Sequence, residues 1–98
     1  MKDFTVHIAV LYLVLRIPSA QSLKDKRMVL RSIKDRIRKR FNVSLSELDE
    51  KDKWQLATLG IVMIGDDNRH IDACLQSITE LVASCPDVEI SDSQIQFL

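Results

Sequence analysis

Residues 4–17 alternate between two apolar sets. Phe4, Val6, Ile8, Val10, Tyr12 and Val14 fall on one side of an extended chain, and Ala9, Leu11, Leu13, Leu15 and Ile17 on the other. A strand apolar on both faces belongs in the middle of a sheet, covered on both sides, and Pro18 ends it. Residues 54–64 form a second such segment, with Trp54, Leu56, Val62 and Ile64 on one side and Ala57, Leu59, Ile61 and Met63 on the other. Two weaker segments read as edge strands. In the first, Val43, Leu45 and Leu48 alternate loosely with Ser44, Ser46 and Glu47. In the second, Val88 and Ile90 are followed by an interruption at Ser91-Asp92-Ser93, then by Ile95 and Phe97.

Between the strands the apolar period changes to that of a helix. Ser22-Leu23-Lys24-Asp25 has the hydroxyl and the third-position acid of a capping box. The helix it opens runs to about Arg40 with Leu23, Leu30, Ile33, Ile37 and Phe41 as its buried stripe, and Asn42 closes it. Asp49-Glu50-Lys51-Asp52 is a polar turn. Gly65-Asp66-Asp67 supplies a break and an N-cap for a second helix over about 68–84, whose stripe is Ile71, Cys74, Leu75, Ile78, Leu81 and Val82. Pro86 stops it. The order β-α-β-β-α-β predicts a ferredoxin-like α/β (α+β) sandwich, a four-stranded antiparallel sheet with two helices on one face. That topology puts the first and third strands in the centre, and these are the two doubly apolar segments.

Ninety-eight residues suit one domain over 1–98, and a composition 46% apolar and 29% charged is that of a globular chain rather than a disordered tail. Lys2 followed by the apolar run Ile8–Leu15 and Pro18-Ser19-Ala20 superficially resembles a secretion signal. Asp3, Thr5, His7 and Arg16 argue against it, and the run is too short to cross a bilayer. Cys74 and Cys85 lie eleven residues apart in a segment read as one helix, about 16 Å and beyond disulfide reach. The expectation is reduced thiols and a cytoplasmic protein with no membrane attachment.

Catalysis needs a nucleophile, a base and a charge stabiliser in one place. His7 lies within a strand and His70 beside Arg69 at a helix start, neither in a catalytic motif. Acylphosphatase shares the element order, but its phosphate loop is glycine-rich. The matching segment here, Ile17-Pro18-Ser19-Ala20-Gln21-Ser22, has no glycine. The acidic groups Asp49, Glu50, Asp52 and Asp66, Asp67 read as a solvated turn and a helix cap rather than as metal ligands. The expectation is therefore a non-enzymatic protein with no catalytic residues, no metal and no cofactor.

Charge is the informative feature. The chain is neutral overall, yet Arg16–Arg40 holds ten basic residues against Asp25 and Asp35, a net of +8, and the remainder from Phe41 carries a net of −8. At 100° per residue, Lys24, Arg27, Arg31, Lys34 and Arg38 fall within about 80° of one another on the first helix. Stacked like charges cost a helix roughly 0.2–0.5 kcal/mol per pair, which points to an anionic partner. A basic face merely solvated and balanced by the acidic half is the plain alternative. The RNP-type aromatic strand of an RRM, a module of the same topology, is absent.

The stretch Leu15-Arg16-Ile17-Pro18-Ser19-Ala20-Gln21-Ser22-Leu23-Lys24-Asp25-Lys26-Arg27, with Arg40-Phe41-Asn42-Val43-Ser44 and Asp52-Lys53-Trp54-Gln55-Leu56-Ala57-Thr58-Leu59-Gly60, resembles the YlxP-like family of small bacterial proteins. The resemblance covers nearly the whole chain. It implies a ferredoxin-like fold, no established enzymatic activity and bacterial origin. It also implies an RNA-binding or ribosome-assembly role, because genes of members often neighbour those of transcription and translation factors. The motif's basic residues map onto Lys24, Lys26 and Arg27. Together these readings predict a protein that meets RNA or a ribosomal subunit through phosphates, using Lys24, Lys26, Arg27, Arg31, Lys34 and Arg38 and the loop before them. A module docking an acidic protein and a small-molecule-sensing dimer are the other classes that fit. A sheet covered on one face only, with apolar residues on both, further predicts a homodimer through the open face.

Overall fold

The two doubly apolar segments become the two central strands. The computed structural model describes residues 3–98, in the order β1 (His7–Arg16), α1 (Leu23–Arg40), β2 (Ser44–Leu48), β3 (Leu56–Gly65), α2 (Asn68–Ala83) and β4 (Glu89–Phe97). The sheet runs β2-β3-β1-β4 with every pair antiparallel, which is the ferredoxin-like α+β arrangement. The core lies on one side of it. Ala9, Leu11, Leu13 and Leu15 of β1 and Ala57, Leu59 and Ile61 of β3 pack with Leu30, Ile33 and Ile37 of α1 and Ile71, Leu75, Ile78 and Val82 of α2.

The central strands are shorter than their apolar runs, for want of partners. β3 ends at Gly65 opposite His7, and β4 ends at Phe97 opposite Ala9. Phe4 and Val6 therefore have nothing to pair with, and Phe4 is 78% exposed. Trp54 leaves β3 for a similar reason. The Ile17 N–H still donates to the Gln55 carbonyl at 2.9 Å, but the next residue of that chain is Pro18, which has no N–H to give. Gln55 Nε2 instead donates to the Pro18 and Ala20 carbonyls at 3.0 and 3.1 Å, closing the β1–α1 loop onto the end of β3.

The interruption at Ser91-Asp92-Ser93 is a β-bulge inside one continuous strand. Asp92 pairs with Val14 but Ile90 with Leu15, so Ser91 is one residue too many, and its hydroxyl donates to the Val14 carbonyl at 3.1 Å. Ile90 and Ile95 are five apart and would face opposite ways in a regular strand. The extra residue puts both on the helix-covered face, opposite Leu15 and Leu11.

Both helices begin as their cap residues dictate. Ser22 Oγ accepts from the Asp25 N–H at 3.0 Å, and the Asp25 carboxylate accepts from the Gln21 N–H at 3.0 Å, a capping box displaced by one residue. Asp67 caps α2 through the Arg69 N–H at 2.9 Å. Cys74 and Cys85 are free thiols; Cys85 lies just beyond the end of α2, where Arg36 Nη1 donates to its sulfur at 3.4 Å.

Candidate nucleic-acid interface

The helix period divides the cations of α1 among three surroundings. Leu30, Ile33 and Ile37 point into the core, and Lys26 points with them. On the flank facing α2, Arg36 meets Cys85, and a groove between the helices is lined by Arg36, Lys39, Arg40, Leu81 and Ser84. The opposite flank carries Lys24, Arg27, Arg31 and Arg38, all exposed, and Lys34, half-buried. Arg27, Arg31, Lys34 and Arg38 line a shallow groove of about 280 Å³ floored by Leu30, with Asp35 as its one acid. Among the described residues none of these five cations makes an ion pair.

Lys26 does not belong to that surface. It is 1% exposed, and its ammonium donates to the Glu50 carbonyl at 2.9 Å and the Lys53 carbonyl at 2.8 Å, with Glu47 Oε2 2.8 Å away. Two donated hydrogen bonds and the neighbouring carboxylate hold the ammonium inside, out of reach of a phosphate. The expectation that Lys26 contacts nucleic acid is corrected here. Its direction in the apolar seam, away from the stripe, buries it, and its charge is used to hold the β2–β3 connection. A signal for this existed in the sequence: Lys26 is spaced i, i+4 and i+7 with Leu30 and Ile33, at a core position.

Polar groups near the amino end of α1 and in the β2–β3 connection are engaged by the fold. The Gln21 and Asp25 N–H groups at the amino end of α1 bind their own cap, and the β1–α1 loop gives two carbonyls to Gln55, so this loop is not laid out like a phosphate loop. In the β2–β3 connection, Glu50 pairs with Lys53 at 2.7 Å; the hydrogen bond and charge of Glu50 raise the Lys53 pKa above its ordinary value. His70 Nε2 lies 3.7 Å from Cys74 Sγ on exposed α2. Among the described residues no three His, Cys, Asp or Glu side chains gather as metal ligands, and no helix is long and apolar enough to cross a membrane.

The opposite face of the sheet is open. Ile8, Val10, Tyr12 and Val14 of β1 alternate with the core residues, and beside them stand Leu56, Thr58, Gly60, Val62 and Ile64 of β3. Val62 is 38% and Ile64 65% exposed. The flanking strands present Ser44, Ser46 and Leu48 on one side and Asp92, Gln94 and Gln96 on the other.

Comparison with known proteins agrees with this architecture. The solved structure of a de novo designed protein, Foldit4, superposes with a TM-score of 0.54 over 94% of this chain and 96% of its own, at 13% identity, a likeness of fold alone. The "Uncharacterized protein YlxP" of Bacillus subtilis (strain 168) is 37% identical over 70 residues, 71% of this chain and 76% of the relative. The model of the family described as "Protein of unknown function (DUF503)" matches residues 8–95, and the chain belongs to that family of YlxP-like proteins.

Proposed function

We propose that this protein is a non-enzymatic, cytoplasmic accessory factor that associates with RNA or a ribosomal subunit through the outer flank of α1. The observation that carries the reading is the stripe of Lys24, Arg27, Arg31, Lys34 and Arg38, gathered on one helix flank with no ion pair among the described residues to satisfy it. Such a stripe destabilises its own helix and gains from a line of phosphates. Its contacts are with phosphates rather than bases, because the stripe itself carries no aromatic side chain on which a base could stack. The open sheet is poorly suited to the task. It offers the single aromatic Tyr12 among its paired positions, and its one basic residue, Arg16, stands at a corner opposite Glu89.

The test is binding to RNA and to ribosomal subunits across a salt series. Five phosphates neutralised on single-stranded RNA predict an affinity loss of roughly 10²-fold between 50 and 200 mM salt. Arg27→Glu with Arg31→Glu abolishes binding and leaves the fold intact, since both side chains are exposed. Arg69→Glu, a charge reversal at the start of α2, matters far less than either reversal on α1 made singly. Equal binding by the Arg27/Arg31 variant, or preference for an acidic protein over RNA, refutes the reading.

A further inference from the structure

We propose that the open sheet face joins two copies of this chain, so that the dimer carries two basic helices on opposite outer surfaces and bridges two polyanion strands. The second half of this proposal rests on the function proposed above; the first half does not. The apolar strip formed by Val10, Tyr12, Val14, Leu56, Val62 and Ile64 runs along the two ten-residue central strands and carries no charge between its ends. Ten residues extend about 33 Å, and four strands at about 4.8 Å spacing span roughly 14–19 Å. One face therefore offers roughly 500–600 Å², and two offer about 1,000–1,200 Å², the size at which specific dimers begin.

The area fits a second copy of this chain, and the two unlike borders set its orientation. The borders of the strip differ: Asp92 with Gln94 and Gln96 along β4, and Ser44, Ser46 and Leu48 along β2. A two-fold axis parallel to the strands, lying between β1 and β3, sets β1 over the partner's β3 and β4 over the partner's β2. Levels along the strands are kept, so Gln96 and Gln94 stand over the partner's Ser44 and Ser46, Asp92 stands over its Leu48, and the apolar centres meet each other. A two-fold perpendicular to the strands would stack the Asp92-bearing border of β4 on the same border of the partner. The parallel two-fold closes the pair with the two acid-bearing borders on opposite edges. Stacked sheets lie about 10 Å apart with a helix layer outside each, so the two α1 stripes stand roughly 30 Å apart, facing away from each other.

Two measurements separate the halves of the proposal. Sedimentation or light scattering at tens of micromolar yields a dimer mass for the unmodified chain and a monomer mass for Val62→Gln/Ile64→Gln, with the far-UV spectrum and thermal transition retained. Both residues are exposed in the single chain, so the variant folds. In a sandwich assay, protein captured on an immobilised uridine 12-mer takes up a second, fluorescent uridine 12-mer; the monomeric variant still binds the first and loses the second. A monomer mass for the unmodified chain overturns the dimer whatever RNA does. A dimer that survives Val62→Gln/Ile64→Gln overturns the assignment to this face. A dimer that binds neither oligonucleotide overturns the bridge and the RNA reading together, leaving the sheet pairing in place. A dimer that binds the first oligonucleotide without capturing the second overturns the bridge alone.

Discussion

Lys26 of α1 and Glu47 of β2 form an ion pair at 2.8 Å inside the molecule, with the lysine side chain 2% and the glutamate side chain 17% exposed. The pair joins the first helix to an edge strand. The two carbonyls that complete the ammonium's shell belong to Glu50 and Lys53, so one side chain also fixes both ends of the turn that follows. Within that turn Asp49 and Glu50 have φ of 41° and 52°, the left-handed region that side chains other than glycine's enter at a cost. The hydrogen bond from Lys26 helps hold the backbone there.

Removing this cation leaves two carbonyls without their donor and a carboxylate without its counter-charge. Lys26→Met is expected to destabilise the fold by about 3 kcal/mol, the lower end of the range for breaking a buried pair because Glu47 retains some access to water. The loss shows as a lower denaturant midpoint in equilibrium unfolding. RNA affinity of the folded variant, measured well below that midpoint, is unchanged. A weakened RNA affinity in a fully folded Lys26→Met protein would return this residue to the interface.

The surroundings of Lys26 also show how far the sequence alone reaches. Element order and strand placement are legible because burial imposes a period on the chain, and two strands apolar on both faces can only be central. The stripe Lys24, Arg27, Arg31, Lys34 and Arg38 is legible because helical geometry depends on spacing alone. The role of Lys26 is not, since its three partners come from residues 47, 50 and 53, which no local pattern connects to it. Ser91 reads as an interruption for a related reason: a bulge is recognised only when the register of the neighbouring strand is known.

Gly60 is the residue that lets Leu48 lie across the open face. A Cβ at position 60 would stand 2.7 Å from Leu48 Cδ1 and 3.3 Å from its Cγ. Gly60→Val therefore displaces the leucine and is expected to cost about 1–3 kcal/mol, as overpacking does. Leu48→Ala in the same chain removes the obstacle, so the double variant is less destabilised than the sum of the singles. Additive midpoint shifts would show that the two side chains do not share this space.

Glu50→Gly tests the left-handed backbone at the same turn. Glycine enters this region without the steric penalty of roughly 1–2 kcal/mol, and the exposed Glu50–Lys53 pair it sacrifices is worth little. The Lys26 hydrogen bond goes to the residue 50 carbonyl and survives the change. The expected result is a gain of about 1 kcal/mol in unfolding free energy, after the entropy glycine adds to the unfolded chain. A loss of stability would mean that the Glu50 side chain holds the turn more strongly than its pairing indicates.

The basic stripe sets stability against binding, and the two can be measured on one variant. Lys34 stands three residues from Arg31 and four from Arg38, so Lys34→Gln relieves two like-charge repulsions while keeping nearly the same helix propensity. At low ionic strength the variant is expected to be more stable by about 0.5–1 kcal/mol. That gain shrinks as salt rises past 0.1 M, where the screening length falls to about 10 Å. RNA binding moves the opposite way: affinity drops, and the slope of log affinity against log salt becomes shallower by about 0.7, because one phosphate fewer is neutralised. Equal stability at low salt would mean that the stripe costs the helix nothing, which removes the physical reason for expecting an anionic partner. An unchanged salt slope would place Lys34 outside the interface and narrow it to the four exposed cations.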